Sequence, residues 1–529
     1  MSLGQGRFPL SNMQLAYLVG RNTQIDQGET PIRAYSQMFC ENYDHARFQE
    51  AVNKLIASHD MLRVAIYSDG TQEIKGQVQC NVPLQKRDCT YEEDKEYIEI
   101  RRNEIFQMTL KLEEPPLIYF ETTLFNDGTA LIHLYHDGLI MDGWSHEMVL
   151  LDLDRFYSNP SMEPYKFKYT YEKYVMAEKT NEKSVEYKNA RRYWMEKIPN
   201  MAQPPDLNNR NNSVAPETGS KQMTRKFNKK DYEIIKRTAY KMKLSPFAIF
   251  LTAFGKTLSR YSSEHPFLIN LPLANRKPEI EDSWNIVGDC SDFMLYEWEE
   301  GINENLLDCA YNVQEKFFEQ MEYRDFSGIE VVGELQRMTP GVLVAPIVLT
   351  STLDIPYEKS TSLKKIYSKT HTSQVWLDTI LMYTEDDILI SMDYDSSKID
   401  TATMGKIADT FLELILEFSD NADKWSEIKH APLRKKDLTL VSGQFEEPIL
   451  NTNFGVELQK SFKNNLQRVA IVDNSQQLTY LQLRNFAGSM ITQIRNQVSG
   501  NDHIRVGLLI DKGWRQIAAE VSCAIGNMT

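Results

Sequence analysis

The stretch Asp137-Gly138-Leu139-Ile140-Met141-Asp142-Gly143-Trp144-Ser145 follows an apolar run, Thr129 to Tyr135, that reads as a strand. The turn signal Asn126-Asp127-Gly128 separates that run from another strand-like segment, Leu117 to Phe125. Beyond the stretch, Val149, Leu153 and Phe156 recur at helical spacing, and Ser145 is a good helix N-cap. The nine residues therefore read as a strand-to-helix turn with two carboxylates five positions apart. Carboxylates so placed more often fix the backbone than react.

Working outward, helix-like and strand-like segments alternate. Phe48 to His59 has helical spacing on its N-terminal side of the turn. On the far side, Asp231 to Met242 and Pro246 to Tyr261 look helical, and Phe267 to Leu273 looks like a strand. Ala345 to Leu353, Ser373 to Tyr383 and Ile388 to Tyr394 read as further strands. Met404, Ile407, Phe411, Leu412, Ile415 and Phe418 mark one more amphipathic helix. A polar run rich in Pro and Asn, Pro204 to Asn212, separates two αβ regions and reads as a linker. A new unit begins at Arg468-Val469-Ala470-Ile471-Val472-Asp473 and continues through Leu478 to Leu483 and Val506 to Asp511.

A net charge of −15 argues against nucleic acid as a main partner, because phosphate binding needs clustered Lys and Arg. The six cysteines form no Cys-x-x-Cys pair, so neither a zinc nor a redox motif is indicated. No apolar run is long enough to span a membrane, and Met1 to Arg7 lacks a signal-peptide core. The expected location is cytoplasmic, with reduced thiols. No Gly-rich phosphate loop occurs, so no nucleotide is expected.

Several segments together, in order, resemble the heterocyclization branch of the condensation domains of nonribosomal peptide synthetases. They are Phe8-Pro9-Leu10-Ser11 with Gln14, Ala16-Tyr17 and Gly20-Arg21; His59 with Met61-Leu62-Arg63, Asp69-Gly70 and Gln72; and the nine-residue turn. Leu271-Pro272-Leu273 with Asn275-Arg276, Val287-Gly288-Asp289, Pro346 to Ser351, and Gln374 to Asp378 complete the set. Ordinary condensation domains carry two histidines before Asp-Gly; here those positions hold Asp137 and Gly138. The tail, through Leu478-Thr479-Tyr480 and Asp511-Lys512-Gly513-Trp514, resembles the start of an adenylation domain and stops before that family's phosphate loop.

The resemblance implies an α/β fold of two chloramphenicol-acetyltransferase-like lobes, a V-shaped pseudo-dimer with a central tunnel. The expected division is an N-terminal lobe at 1–200, an inter-lobe linker at 201–222 and a C-terminal lobe at 223–420. A second linker at 421–447 and a truncated adenylation segment at 448–529 follow. It implies a monomer with no nucleic-acid or membrane partner, working with upstream and downstream carrier proteins and an adjoining adenylation domain. The domain itself is expected to bind no cofactor; substrates arrive on the phosphopantetheine arms of the carriers. The implied reaction joins an acyl or peptidyl thioester to carrier-bound Cys, Ser or Thr, then closes a thiazoline or oxazoline with loss of water. Rival readings are an ordinary amide-forming condensation domain and a non-catalytic docking platform.

By the same resemblance Asp378 is the candidate for proton transfer, with Thr350 to hold that carboxylate or the reacting oxygen. Burial near Trp376 and Leu377 would raise the proton affinity such a role needs. Gln374, Asn275, Asp137 and Ser351 are supporting substrate-side candidates. Asp142, Arg276 and Ser145 are read as structural, with Asp142 paired to Arg276 and Ser145 capping the helix. His133 and His136, three apart on a strand, face opposite sides and read as strand or surface histidines.

Overall fold

The computed structural model describes residues 6–22, 31–207, 219–277, 280–301, 304–338, 344–353, 360–372, 375–428, 454–473, 476–498 and 504–529. They fall into two compact units, divided between Arg434 and Lys435.

The first unit holds two sheets. One has five strands in the order Lys364–His371, Arg33–Cys40, Ala130–Asp137, Ile118–Leu124, Leu84–Lys86. Arg33 stands opposite Asp137 and Ile118 opposite His136, so the strand ahead of the turn is central and buried along its whole length. Behind it pack Phe48, Leu55, Phe120, Leu153 and Phe156. The other sheet has six strands in the order Ser291–Trp298, Phe267–Ala274, Ile347–Ser351, Leu377–Tyr383, Asp387–Asp395, Ser220–Asn228. Its core helix Pro246–Tyr261 starts at Ser245, whose hydroxyl accepts from Ala248 N at 3.1 Å, with proline in the first turn. That helix is apolar nearly all round and is correspondingly buried. Gly255 lets it touch Trp298: a Cβ there would lie 2.1 Å from the indole.

Chain order does not separate these two lobes as expected. The strand Lys364–His371 comes late in the sequence yet edges the first sheet, pairing with Arg33–Cys40. Ile286, Val287 and Cys290, from the loop between two strands of the second sheet, are buried in the first core. In return Ala190, Trp194 and Ile198, on and just after the helix Val185–Lys197, enter the second core. The linker expected at 201–222 is narrower. Leu207 is buried in the second core and a strand begins at Ser220, while residues 208–218 lie outside the described residues. The second lobe also runs past residue 420: Trp425 is fully buried, and Leu306 N donates to Ile428 O at 2.7 Å.

The crossing strand is pinned by one carboxylate. Asp154, 4% exposed on the helix Gly143–Ser158, accepts at Oδ2 from Thr361 N (2.7 Å) and Thr361 Oγ1 (3.0 Å). Its Oδ1 accepts from Ser362 N (2.9 Å) and Leu363 N (2.7 Å).

The second unit contains the helix Phe454–Asn465, an antiparallel pair Val469–Val472 and Gln477–Thr479, and the helices Tyr480–Gln497 and Trp514–Ile525. Thr479 and Gln482 form a capping box, which ends the strand and starts the helix inside the run Leu478 to Leu483. Phe462, Ile471, Leu478, Leu483 and Ala518 make its core. Val506 to Asp511 forms no strand. Among the described residues no helix is long and apolar enough to cross a membrane.

Asp154→Ala removes an acceptor from four donors. It is expected to lower stability by roughly 2–4 kcal/mol in chemical unfolding and to speed amide exchange at Thr361 to Leu363. Unchanged exchange there would mean the pin is not what holds the crossing strand.

Candidate active site

The turn after the central strand is fixed at both ends. Asp137, 1% exposed, is ion-paired with Arg21 and accepts from Leu139 N at 2.9 Å. Gln14 Nε2 donates to Leu139 O at 2.8 Å and to Gln72 Oε1 at 3.1 Å, so three sequence-distant segments meet at this turn. Asp142 has extended backbone (φ −83°, ψ 178°), and its Oδ1 accepts from Ser145 N at 2.8 Å. Asp142, not Ser145, is therefore the N-cap, because the helix already starts at Gly143. Asp142 Oδ2 also accepts from Arg276 Nη1 at 2.6 Å and from Cys290 N at 3.1 Å. Freed from capping, Ser145 Oγ donates to Gly288 O (2.8 Å) and accepts from Arg276 Nη2 (2.8 Å).

Gly138 leaves no room for a side chain. A Cβ there would lie 2.3 Å from Ile32 Cγ2 and 3.2 Å from Ile32 O. The nearby histidines are buried rather than superficial: His133 is 0% and His136 2% exposed. His136 Nε2 meets His146 Nδ1 at 3.0 Å, and His146 Nε2 meets Ser36 Oγ at 2.8 Å. Burial holds both of these imidazoles below their ordinary pKa, hence neutral at pH 7.

A cavity of about 970 Å³ lies against one face of the six-stranded sheet. Asn270 and Pro272, Val348 and Thr350, and Asp378 and Ile380 line it from three adjacent strands. These are alternate positions on each strand, as residues sharing one face must be. Gly138, Asp142, His136 and His146 close it from the first lobe.

Asp378 stands opposite Asp393 on the next strand. Thr370, from the crossing strand, donates to Asp393 Oδ2 through Oγ1 (3.1 Å) and N (3.3 Å). Burial, reinforced by the negative Asp393, pushes the Asp378 carboxyl up to about 7; Thr370 opposes this. Asp393 is pushed up to about 6, again mainly by burial. A carboxyl poised near neutrality on a cavity wall can take a proton and return one. Leu377 is fully buried and Trp376 half-buried beside it.

The other candidates divide. Thr350 lines the same cavity as Asp378, but no hydrogen bond joins the two among the described residues. Ser351 falls on the opposite sheet face, its Oγ accepting from Leu353 N at 3.4 Å. Asn275 borders a separate cavity of about 430 Å³, away from Asp378, and its N donates to Cys290 O at 2.9 Å. Asp137 does not line the main cavity, and Gln374 lies outside the described residues. Sequence reasoning passed over Asp289, Asp292 and Tyr17, which also line that cavity. Burial pushes Asp289 up to about 7 and Asp292 up to about 8. Asp289 and Tyr17 both lie in segments that carry the family resemblance, the signal that could have found them.

The sequence matches the family model described as "Condensation domain" over residues 5–437. It is 25% identical to bacitracin synthase 1 of Bacillus licheniformis over 501 residues, 90% of this chain and 9% of that protein. It is 27% identical to phenyloxazoline synthase MbtB of Mycobacterium sp. (strain MCS) over 357 residues, 66% of this chain and 29% of that protein. The chain thus spans less than a third of the length of either curated relative. Among solved structures, the EpoB nonribosomal peptide synthetase cyclization-docking bidomain from Sorangium cellulosum superposes with a TM-score of 0.72. It is 23% identical, covering 80% of this chain and 86% of that one, a likeness of fold. The fold is that of the condensation and cyclization domains, two chloramphenicol-acetyltransferase-like α/β lobes.

Two outcomes follow from this geometry. Gly138→His is expected to destabilise the protein by about 1–3 kcal/mol through the clash with Ile32, without adding a base to the cavity. A folded variant with faster amide formation would contradict that. Asp378→Asn is expected to stabilise the protein at pH 8–9, on the order of 1–3 kcal/mol, because ionising this half-buried, desolvated carboxyl costs more folded than unfolded. The gain should shrink as pH falls through about 7 and vanish near the ordinary carboxyl value of 3.8. Unfolding midpoints against pH test the sign.

Proposed function

Since the chain belongs to the condensation domain family, we propose that it condenses an acyl or peptidyl thioester with carrier-bound Cys, Ser or Thr and then cyclodehydrates the amide to a thiazoline or oxazoline. The observation that carries this reading is Asp378, a half-buried carboxyl on the cavity wall that desolvation pushes up to about 7. It stands in a protein whose Gly138 has no space for the imidazole of an amide-forming site. The relative MbtB is a phenyloxazoline synthase and the EpoB structure is a cyclization-docking bidomain, which supports the same chemistry.

Both carriers present their substrates on phosphopantetheine arms; this domain holds no cofactor of its own. The amine of the downstream residue attacks the upstream thioester and releases the carrier thiol. The side-chain thiol or hydroxyl then attacks the new amide carbonyl, and Asp378 takes its proton. Asp378 returns that proton to the former carbonyl oxygen, whose second hydrogen comes in net from the amide nitrogen as the C=N bond forms, and the oxygen departs as water. Thr350, on the same wall, steadies the reacting oxygen. Asp142, Arg276 and Ser145 position the wall without touching the reacting atoms. Residues 448–529 belong to an adenylation domain, the kind of domain that selects the residue to be cyclised.

Mass spectrometry of the downstream carrier tests this. Wild-type protein with both loaded carriers should transfer the acyl group and then lose one water. Asp378→Ala should accumulate the uncyclised amide, with ring closure slowed about 100-fold or more. Equal loss of both steps would remove the separate role of Asp378, and no mass change in wild type would leave only a docking platform.

A further inference from the structure

We propose that Asp289 is a second catalytic residue in the same cavity, protonating the amide oxygen as the ring closes and accepting the nitrogen's proton as water leaves. This rests on the cyclodehydration reading above. Asp289 sits on the loop that joins two strands of the second sheet and docks into the first lobe. Tyr171 Oη donates to Asp289 O at 2.8 Å, and Asp142 N to Gly288 O at 3.2 Å, so its backbone is clamped on both sides. Its Oδ1 accepts from Ser291 N (3.2 Å) and from the Ser291 hydroxyl. Its Oδ2 has no partner among the described residues, although the residue is only 1% exposed and borders the cavity. A buried carboxyl oxygen left unpaired at a cavity wall is costly unless a ligand or water meets it.

The titratable groups around Asp289 are Asp142, Glu178, Tyr17, Tyr171, Tyr174 and Cys290. None of these is a cation, and Arg276, which acts on the adjoining Cys290, is engaged with Asp142. Burial and then Asp142 push Asp289 up to about 7, the level to which Asp378 is pushed. Near neutral pH one of the two carboxyls can therefore carry a proton while the other does not. Tyr17, Asp289 and Asp378 all line the one cavity.

Two such groups close the proton cycle without solvent. In ring closure the side-chain sulfur or oxygen bonds to the carbonyl carbon. Its proton passes to Asp378, and the carbonyl oxygen takes the Asp289 proton, leaving a hydroxyl on the ring carbon. In dehydration that C–O bond breaks and the hydroxyl leaves as water with the proton from Asp378. The ring N–H proton passes to Asp289 as the C=N bond forms. Both carboxyls end as they began, and one water has been lost.

The test uses the full chain with loaded carriers, and separately a carrier bearing the preformed uncyclised amide. Asp289→Asn, which keeps shape and the Ser291 acceptor, should slow ring closure about 100-fold while amide formation stays within about threefold. Ring closure within threefold of wild type overturns the proposal. Ser291→Ala removes a hydrogen bond that favours the ionised form, so the alkaline limb of the cyclisation rate should move to higher pH; an unmoved limb also overturns it. That second measurement decides the matter should Asp289→Asn not fold. Wild type that never loses water defeats the function assigned above, whereas wild type and Asp289→Asn that both cyclise defeat only this proposal.

Discussion

Arg276 and Asp142 meet with 0% and 5% of their side chains exposed. One belongs to a loop of the second lobe and the other to the helix-opening turn of the first. Removing either partner would strand a charge away from water, a loss of roughly 3–5 kcal/mol. The lobes are therefore held together here by intolerance of separation rather than by a large net attraction. Ser145 and Gly288 extend the seam, and Asp142 N and Cys290 N add backbone bonds across it. The cavity is bordered by residues that this seam fixes, Asp142 on one side and Asp289 on the other.

The end of the central strand explains why an imidazole is missing. Gly138 N donates to Ile32 O at 2.8 Å, and Ile32 fills the space a side chain would need. The imidazoles that remain, His136 and His146, are tied in a closed chain of hydrogen bonds ending on Asp137 O and Ser36. Their burial keeps them neutral. Proton chemistry at neutral pH then falls to groups whose affinity burial raises rather than lowers, and those are carboxyls.

Local periodicity made much of the fold legible. The helices His45–Ser58, Pro246–Tyr261 and Thr401–Asn421 and the strands around the turn carry their burial pattern in the sequence. The strand Lys364–His371 does not: its residues are half-buried with three lysines, and its sheet lies in the other lobe. Asp378 was reachable through a resemblance, but its neighbour Asp393 becomes its neighbour only through sheet register. Sequence places the cap at Ser145 because Asp142 and Ser145 are equally good cap residues by type. Only the position where helical backbone begins distinguishes them.

The aspartates of the first unit differ less in their own chemistry than in what surrounds each. Asp137 has Arg21, Asp142 has Arg276, and Asp154 has four hydrogen-bond donors; each is compensated and structural. Asp378 and Asp289 have no cation within ion-pair reach among the described residues, and both border the cavity with a pKa near 7. Compensation ties a carboxylate to its structural partners. Its absence costs stability above neutral pH and leaves the group free to exchange protons with whatever enters the cavity. The partners each carboxyl meets thus separate those that hold this protein together from those that remain available for proton transfer.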